Sequence, residues 1–394
     1  MIHREITSTL TALFKKNPVV TVTGPRQSGK TTLCRSAFPK LHYFNLERPD
    51  TREFATEDPQ GFLRGCEGGA VIDEIQRAPD LVSFIQVAVD ENRTNGQFVL
   101  TGSRQFRVVE AVSQSLAGRT AVLKLLPFSI AEALRARKTK DIERFIHTGF
   151  YPRIYDHDLD PTQALGDYFE TYVERDVRQV SEIRNLSAFQ KFVRLCAGRV
   201  GQILNLHSLG NDVGVSHTTA RQWISILEAS YIVFLLQPFH ANISKRLIKS
   251  PKLYFLDVGL ASYLMGIESP HQVATHPLKG FLFENMIVVE ALKHRFNQGR
   301  RSNLSFYRDS AGTEVDLIYG LADKFLAVEI KAGETISGSF FGNLRKLRKY
   351  LPDEISGEIL VHGAETEMIR DDIHVTGPIG FVTMLERLAK RNTT

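Results

Sequence analysis

Residues 24–31, Gly-Pro-Arg-Gln-Ser-Gly-Lys-Thr, constrain this chain more than any other stretch. They follow a β-branched run, Val19-Val20-Thr21-Val22-Thr23, and lead into Thr32-Leu33-Cys34-Arg35, which can open a helix. A strand, a G-x-x-x-x-G-K-[ST] loop and a helix in that order form a cradle for phosphate. Gly24 and Gly29 let backbone N–H groups turn inward, and the helix N-terminus adds its partial positive charge. Pro25, Arg26, Gln27 and Ser28 complete the loop. Lys30 is placed to reach β- and γ-phosphates, Thr31 to put its hydroxyl on Mg²⁺, and Thr32 closes the set of expected nucleotide contacts. At average residue frequencies the pattern arises by chance in only about one or two chains of this length in a hundred. The expected ligand is ATP with Mg²⁺.

At 394 residues the chain is long for one core, so about two to four domains are expected. Its 43% hydrophobic and 24% charged residues are those of a soluble globular protein, which excludes fibrous and disordered classes. Cys34, Cys66 and Cys196 stand far apart, without disulfide or zinc spacing, and fit a reducing compartment. Cys34, within a turn of the loop, reads either as a small buried helix residue or as a redox-sensitive thiol. No apolar run approaches a membrane span, and His3, Arg4 and Glu5 stand where a signal peptide would begin its core. The expectation is a cytoplasmic protein with no membrane partner. Between Ser187 and Lys252 lie Lys191, Arg194, Arg199, Arg221, Lys245, Arg246, Lys249 and Lys252 against only Asp212 and Glu228. That local excess points to a polyanionic partner or to a solvated basic face.

Ile2, Ile6, Leu10 and Leu13 recur at helical spacing, so the chain opens on an amphipathic helix ended by Pro18. Residues 41–46 read as a second strand, broken by Arg48-Pro49-Asp50. Ala70-Val71-Ile72-Asp73-Glu74 is an apolar strand with two acids at its carboxyl end, where ligands sit in open α/β sheets. Asp73 is expected to hold Mg²⁺, and Glu74 to polarise the attacking water. A fourth strand, residues 97–103, offers Thr101 or Ser103 as a γ-phosphate contact. Leu116-Ala117-Gly118-Arg119 then precedes a fifth strand, residues 120–125.

This order of strands, with an arginine at the end of the helix before the fifth, resembles the AAA+ ATPases. The wording of the loops, including Ile-Asp-Glu-Ile-Gln and Leu-Thr-Gly-Ser, is similar to their archaeal-ATPase-like prokaryotic branch, whose members carry a C-terminal domain of unknown function. The resemblance implies a homo-oligomer in which Arg119 acts as a finger on a neighbour's nucleotide; an arginine capping a helix C-terminus is the alternative. It also makes the helical pattern of residues 128–186 a lid, where Arg153 could approach the phosphates.

Residues 206–236 read as a helix–turn–helix with Ser216 as a cap, Trp223, Ile226 and Leu227 facing inward, and a strand at 231–236. Residues 252–255 pair with that strand around a basic loop, a winged-helix pattern. On DNA, His217, Thr218, Thr219 and Arg221 would enter the major groove, with the loop's lysines and Arg246 on phosphates. Protein contact is the alternative use. Further on, Asp316 and Glu329-x-Lys331 lie on two strands joined by a hairpin at residues 320–324, so the three side chains share a face. With Glu284 on the preceding helix, they resemble the PD-(D/E)xK nuclease core. That resemblance implies a second Mg²⁺ or Mn²⁺ on Asp316 and Glu329, with Lys331 activating water.

The expected fold class is α/β. An AAA+ core with a parallel five-stranded sheet and helices on both faces (1–127) precedes a helical lid (128–186), a basic winged-helix segment (187–252) and a nuclease-like domain (253–394). The expected activity is ATP hydrolysis coupled to a DNA- or protein-directed C-terminal module. The alternatives are an ATP-dependent nuclease of the defence type and a nucleotide-switched binding module without nuclease activity.

Overall fold

The computed structural model of the chain describes residues 2–103, 115–173, 185–239 and 250–391. It divides into two compact units. One comprises Met1–Phe128, Ala229–Tyr231 and Arg295–Arg301; the other holds Ser129–Glu228, Ile232–His294 and Ser302–Thr394.

The first unit is built on β1 (Val19–Thr23), β2 (His42–Asn45), β3 (Ala70–Asp73), β4 (Phe98–Gly102) and β5 (Thr120–Lys124). All pairings are parallel, in the order β2-β3-β4-β1-β5. The residues of β1, β3 and β4 are buried throughout, as expected of a parallel sheet covered on both faces. Val19, Ile72 and Leu100 pack with Phe62, Leu81 and Ile85 on one face; Val20, Val22, Val71 and Val99 pack with Ile6, Leu10 and Leu33 on the other. Because the strands run one way, Thr23, Asp73 and Gly102 finish at the same edge of the sheet. That edge is where the loop of residues 24–31 departs.

β2 ends at Asn45, before Arg48-Pro49-Asp50 as expected, and Pro49 has a second role. It starts the helix Pro49–Glu57, and Pro59 starts Pro59–Arg64, because a proline at the first helical position lacks only an N–H that would have no partner anyway.

The second unit begins with the helices Ile130–Ala136, Ile142–Thr148, Pro152–Asp156 and Pro161–Tyr168; the part of the expected lid at residues 174–184 lies outside the described residues. Helices Leu206–Val213 and His217–Ala229 follow, joined by a short turn. The Thr219 N–H donates to Ser216 Oγ at 3.1 Å, and Phe189 and Phe192 meet the buried Trp223 edge-on. The next strand, β6 (Val233–Pro238), starts two residues later than the sequence implies. Tyr231, which belongs to the first unit, adopts a left-handed φ of 57°, and its hydroxyl lies 2.8 Å from that of Thr23 in the same unit.

β6 forms a hairpin with β7 (Lys252–Phe255) and pairs in parallel with β8 (Leu304–Arg308). The hairpin is therefore one edge of a sheet that continues through β9 (Glu314–Leu321), β10 (Lys324–Lys331), β11 (Ile355–His362), β12 (Met368–Arg370) and β13 (Ile373–Thr376), in the order β12-β13-β11-β10-β9-β8-β6-β7. The expected boundary between residues 252 and 253 falls inside β7. β9 and β10 join through Ala322 and Asp323, with Ala322 at a φ of 50°, the left-handed geometry tight hairpins require. Helix Gly342–Tyr350 seals this sheet with Leu344 and Leu347 against Val315, Ile318, Ala327 and Leu360.

Gly24 leaves β1 at a φ of +152°, and a Cβ there would sit 2.1 Å from the carbonyl oxygen of Leu125. Gly24→Ala is expected to destabilise the first unit by about 3 kcal/mol, from backbone strain and overpacking together. A thermal melt followed by circular dichroism should show an earlier first transition, and an unshifted melt would contradict the assignment.

Candidate nucleotide site and a second charged cluster

The loop closes on itself. Gln27 and Gly29 both take left-handed φ values, 60° and 89°, which turns successive N–H groups toward one concave side. Gly29 N-caps the helix Lys30–Ala37. Lys30 Nζ donates to the carbonyl oxygens of Gly24 at 3.0 Å and Pro25 at 2.7 Å. Burial pushes the Lys30 ammonium down to about 8, against the attraction of Glu74 and Asp73. Behind the loop, the buried Arg4 guanidinium donates to Ser28 O at 2.6 Å and Leu126 O at 2.7 Å, and lies over the Phe128 ring. Sequence reasoning missed Arg4; its only signal is a charge three residues before the helix Thr7–Phe14, which was read by its apolar stripe.

Asp73, 3% exposed, is the centre of the site. Its Oδ2 accepts from Thr31 Oγ1 at 2.7 Å and from the Tyr43 hydroxyl at 2.8 Å, while Oδ1 accepts from Thr101. Thr101 Oγ1 also accepts from the Glu74 N–H at 3.3 Å. Glu74 sits at a left-handed φ of 60°, and its carboxylate accepts from Ser103 at 3.2 Å and from Gln76. Thr101 and Ser103 thus divide the work: one touches Asp73, the other Glu74. Tyr43 was missed because a half-buried tyrosine on a strand looks like any packing residue.

Thr31 and Asp73 offer hard oxygen donors side by side, which fits Mg²⁺ completed by phosphate oxygens and water. Among the described residues there is no group of three or more His, Cys, Asp or Glu able to hold a metal ion alone. Thr32 is exposed, and Cys34 is buried, with burial pushing its thiol upward; this favours the packing role over the redox one.

Arg119 lies elsewhere. It precedes β5, at the amino end of the sheet, where its carbonyl accepts from Val19 N. Five residues of strand, about 17 Å at 3.3 Å each, separate that edge from the loop. Its guanidinium makes a two-pronged pair with Asp90, at 2.6 and 2.8 Å, and donates to Ala117 O.

In the second unit, Glu284, Asp316, Glu329 and Lys331 come together as expected. Lys331 Nζ stands 2.8 Å from Glu329 Oε1 and 3.2 Å from Asp316 Oδ2, which also accepts from Ile330 N–H. Missed by sequence reasoning were Lys252 and Tyr254 of β7, both bound to Glu284 Oε1, and Glu314, bound to Lys252 at 2.6 Å. Burial lifts Glu284 to about 7 and Glu329 to about 8; Lys252 opposes the first shift and Asp316 reinforces both. Four acids against three cations, Lys252, Lys331 and the Arg308 guanidinium 3.1 Å from Glu314 Oε2, leave excess negative charge, and a retained proton relieves it.

The basic stretch is less outward than its count implies. Lys252 is 3% exposed, and Arg199 is paired with Asp212. Thr218 and Arg221 are exposed and Thr219 half-buried; His217 stacks on His207 with centroids 4.3 Å apart. Lys245, Arg246 and Lys249 lie outside the described residues. Among the described residues no helix is long and apolar enough to cross a membrane.

These features define an ATPase domain of the AAA type: a family model described as AAA domain matches residues 16–134. Two models described as domains of unknown function, DUF8612 and DUF4143, match residues 139–271 and 279–382. The uncharacterized protein Rv2008c of Mycobacterium tuberculosis is 30% identical over 382 residues, covering 95% of this chain and 83% of that protein. The chain belongs to the family of that mycobacterial protein. An uncharacterized protein of Haemophilus influenzae is 22% identical over 279 residues, 66% of this chain and 64% of its own. Among solved structures, the Walker-type ATPase paby2304 of Pyrococcus abyssi is 14% identical at a TM-score of 0.44, covering 67% of this chain and 96% of that one, a likeness too slight to carry an argument.

A phosphate held by Lys30 would bind its charged form. With that group at about 8 in the nucleotide-free chain, ATP affinity should fall as pH rises above 8, approaching about tenfold per pH unit. The stability effect has the opposite sign: between about 8 and the ordinary lysine value of 10.5 the unfolded chain holds more protons, so the nucleotide-free protein gains stability with pH there. Calorimetric titration with ATP at several pH values checks the first statement; a flat profile overturns it.

Proposed function

We propose that the chain is an ATP hydrolase of the AAA+ class that works as a homo-oligomer and couples nucleotide state to a DNA- or protein-directed C-terminal module. The observation that carries the reading is the Asp73 carboxylate, bound at once to Thr31 of the loop helix, Tyr43 of β2 and Thr101 of β4. On this reading Lys30 leaves the Gly24 and Pro25 carbonyls for the β- and γ-phosphates, and loop N–H groups take the remaining phosphate oxygens. Thr31 and Asp73 hold Mg²⁺, which supplies charge neutralisation. Glu74 takes a proton from water as the water oxygen bonds to the γ-phosphorus and the bond to the bridging oxygen breaks, releasing ADP and phosphate. Ser103 holds Glu74 in place, and Thr101 links Asp73 to the Glu74 backbone. Arg119 is too far from its own loop to act there; on assembly it exchanges Asp90 for a neighbour's γ-phosphate.

The C-terminal module is best read as binding and regulatory, since ammonium groups face both oxygens of Asp316. The convergence of Glu284, Asp316, Glu329 and Lys331 favours a second reading, a nuclease-like fold that cuts DNA. The outward Thr218 and Arg221 support DNA contact by the helix His217–Ala229, with protein contact as the alternative.

Lys30→Ala and Glu74→Gln should each reduce ATP turnover by about a hundredfold or more, and unchanged turnover sinks the ATPase assignment. Mixing Arg119→Ala with Lys30→Ala subunits should restore part of the lost activity, because each supplies what the other lacks. Linear and circular DNA incubated with Mg²⁺ or Mn²⁺ should stay intact; cutting abolished by both Asp316→Ala and Lys331→Ala would establish the nuclease reading instead.

A further inference from the structure

The acids of the second unit converge on a single nitrogen. Lys252 Nζ lies 2.9 Å from Glu284 Oε1, 2.6 Å from Glu314 Oε1 and 3.8 Å from Asp316 Oδ1. Those acids come from two elements, the helix Lys279–Asn297 and β9, while the lysine comes from a third, the first position of β7. On the far side of Asp316, Lys331 takes Oδ2. A divalent ion bound by these acids would need oxygens at about 2.0–2.6 Å, and would have to occupy the volume the ammonium fills. An ammonium has three donors and no lone pair, so it competes with a metal and cannot ligate one.

Two further groups mark the cluster as built for cations. Glu329 Oε2 is buried without a hydrogen-bond partner in a side chain only 3% exposed. His362, 1% exposed, has neither ring nitrogen hydrogen-bonded and stands directly across from Lys331 in the β10–β11 register, on the same face. Buried acceptors without partners are uncommon and call for an explanation. Glu329 belongs to the cluster through Lys331, 2.8 Å from its Oε1, and through the charges of Asp316 and Glu284 that bear on it.

We propose that this cluster is a cation site filled by the chain's own Lys252, which excludes a divalent metal, and that removing the Lys252 ammonium converts it into a divalent-metal site held by Glu284, Asp316 and Glu329. The residues as they stand do not fit the metal that the PD-(D/E)xK resemblance implies. The misfit is invisible to a motif, because Lys252 belongs to a different stretch of chain. The proposal rests on the C-terminal cluster alone and is independent of the ATPase assignment.

The test is a Mn²⁺ titration of the nucleotide-free full chain, following free Mn²⁺ by electron paramagnetic resonance. Wild type, Asp316→Asn, Lys252→Met, Lys252→Gln and the double variant Lys252→Met with Asp316→Asn are compared, with folding checked by circular dichroism. Lys252→Met and Lys252→Gln should each gain Mn²⁺ binding at least about tenfold tighter than wild type, because a positive charge a few ångströms from the metal has gone, and the double variant should lose the gain. Asp316-dependent binding in wild type as tight as in the variants overturns the proposal, as does the absence of any gain in folded Lys252 variants. Should neither Lys252 variant fold, wild type against Asp316→Asn decides. Equal Mn²⁺ binding by that pair supports the exclusion, and weaker binding by Asp316→Asn refutes it.

Discussion

The Asp73 carboxylate sets the terms for the first unit. An ionised carboxylate taken out of water without partners costs several kcal/mol, while each hydrogen bond to a charged group returns about 1.5–3 kcal/mol. Three hydroxyls, from Thr31, Tyr43 and Thr101, together offset the burial. They come from the loop helix and from two strands, one paired directly with β3 and one paired on its other side, so satisfying one acid fixes the relation of loop and sheet. The register that makes this possible is the parallel alignment ending β1, β3 and β4 together. Had β3 been reversed, Asp73 would lie at the edge where Arg119 now sits.

What was legible in the sequence was what local spacing encodes. The loop of residues 24–31, the acidic end of β3, the turn at Ser216 and the alternation that puts Glu329 with Lys331 all depend on neighbours a few positions away. Pairings across long separations were not legible. Tyr43 reaches Asp73 from 30 residues off, and Arg4 reaches Leu126 from 122; neither has a periodicity to announce it. Proline was half legible: β2 does end before Arg48-Pro49-Asp50, but that Pro49 also opens a helix was not, because its fixed φ suits a helix's first position as well as it ends a strand. The joining of β6 to β8 was invisible too, because a parallel pair across more than 60 residues of intervening chain leaves no trace in hairpin signals.

Charge counting shows the same limit. Eight basic residues against two acids in the middle segment read as a surface for polyanions. A running sum along the chain cannot tell an ammonium facing water from one facing Glu284 and Glu314. Once Lys252 is turned inward and Arg199 is tied to Asp212, the field available to a nucleic acid is smaller than the sequence implied, since a neutralised pair contributes little beyond a Debye length.

The two acidic centres solve one problem in chemically different ways, and the difference bears on what each can do. Around Asp73 the donors are hydroxyls. A hydroxyl carries lone pairs, so Thr31 can turn from donating to Asp73 to ligating the cation that Asp73 attracts, and the acid is stabilised without being spent. Around Asp316 the Ile330 N–H is joined by two ammonium groups, which satisfy the acids by supplying the positive charge itself. The first arrangement leaves room for Mg²⁺ to arrive with a nucleotide; the second already contains its cation. Buried acids on strands therefore carry opposite meanings here, decided by whether the partners are Thr31, Tyr43 and Thr101 or Lys252 and Lys331.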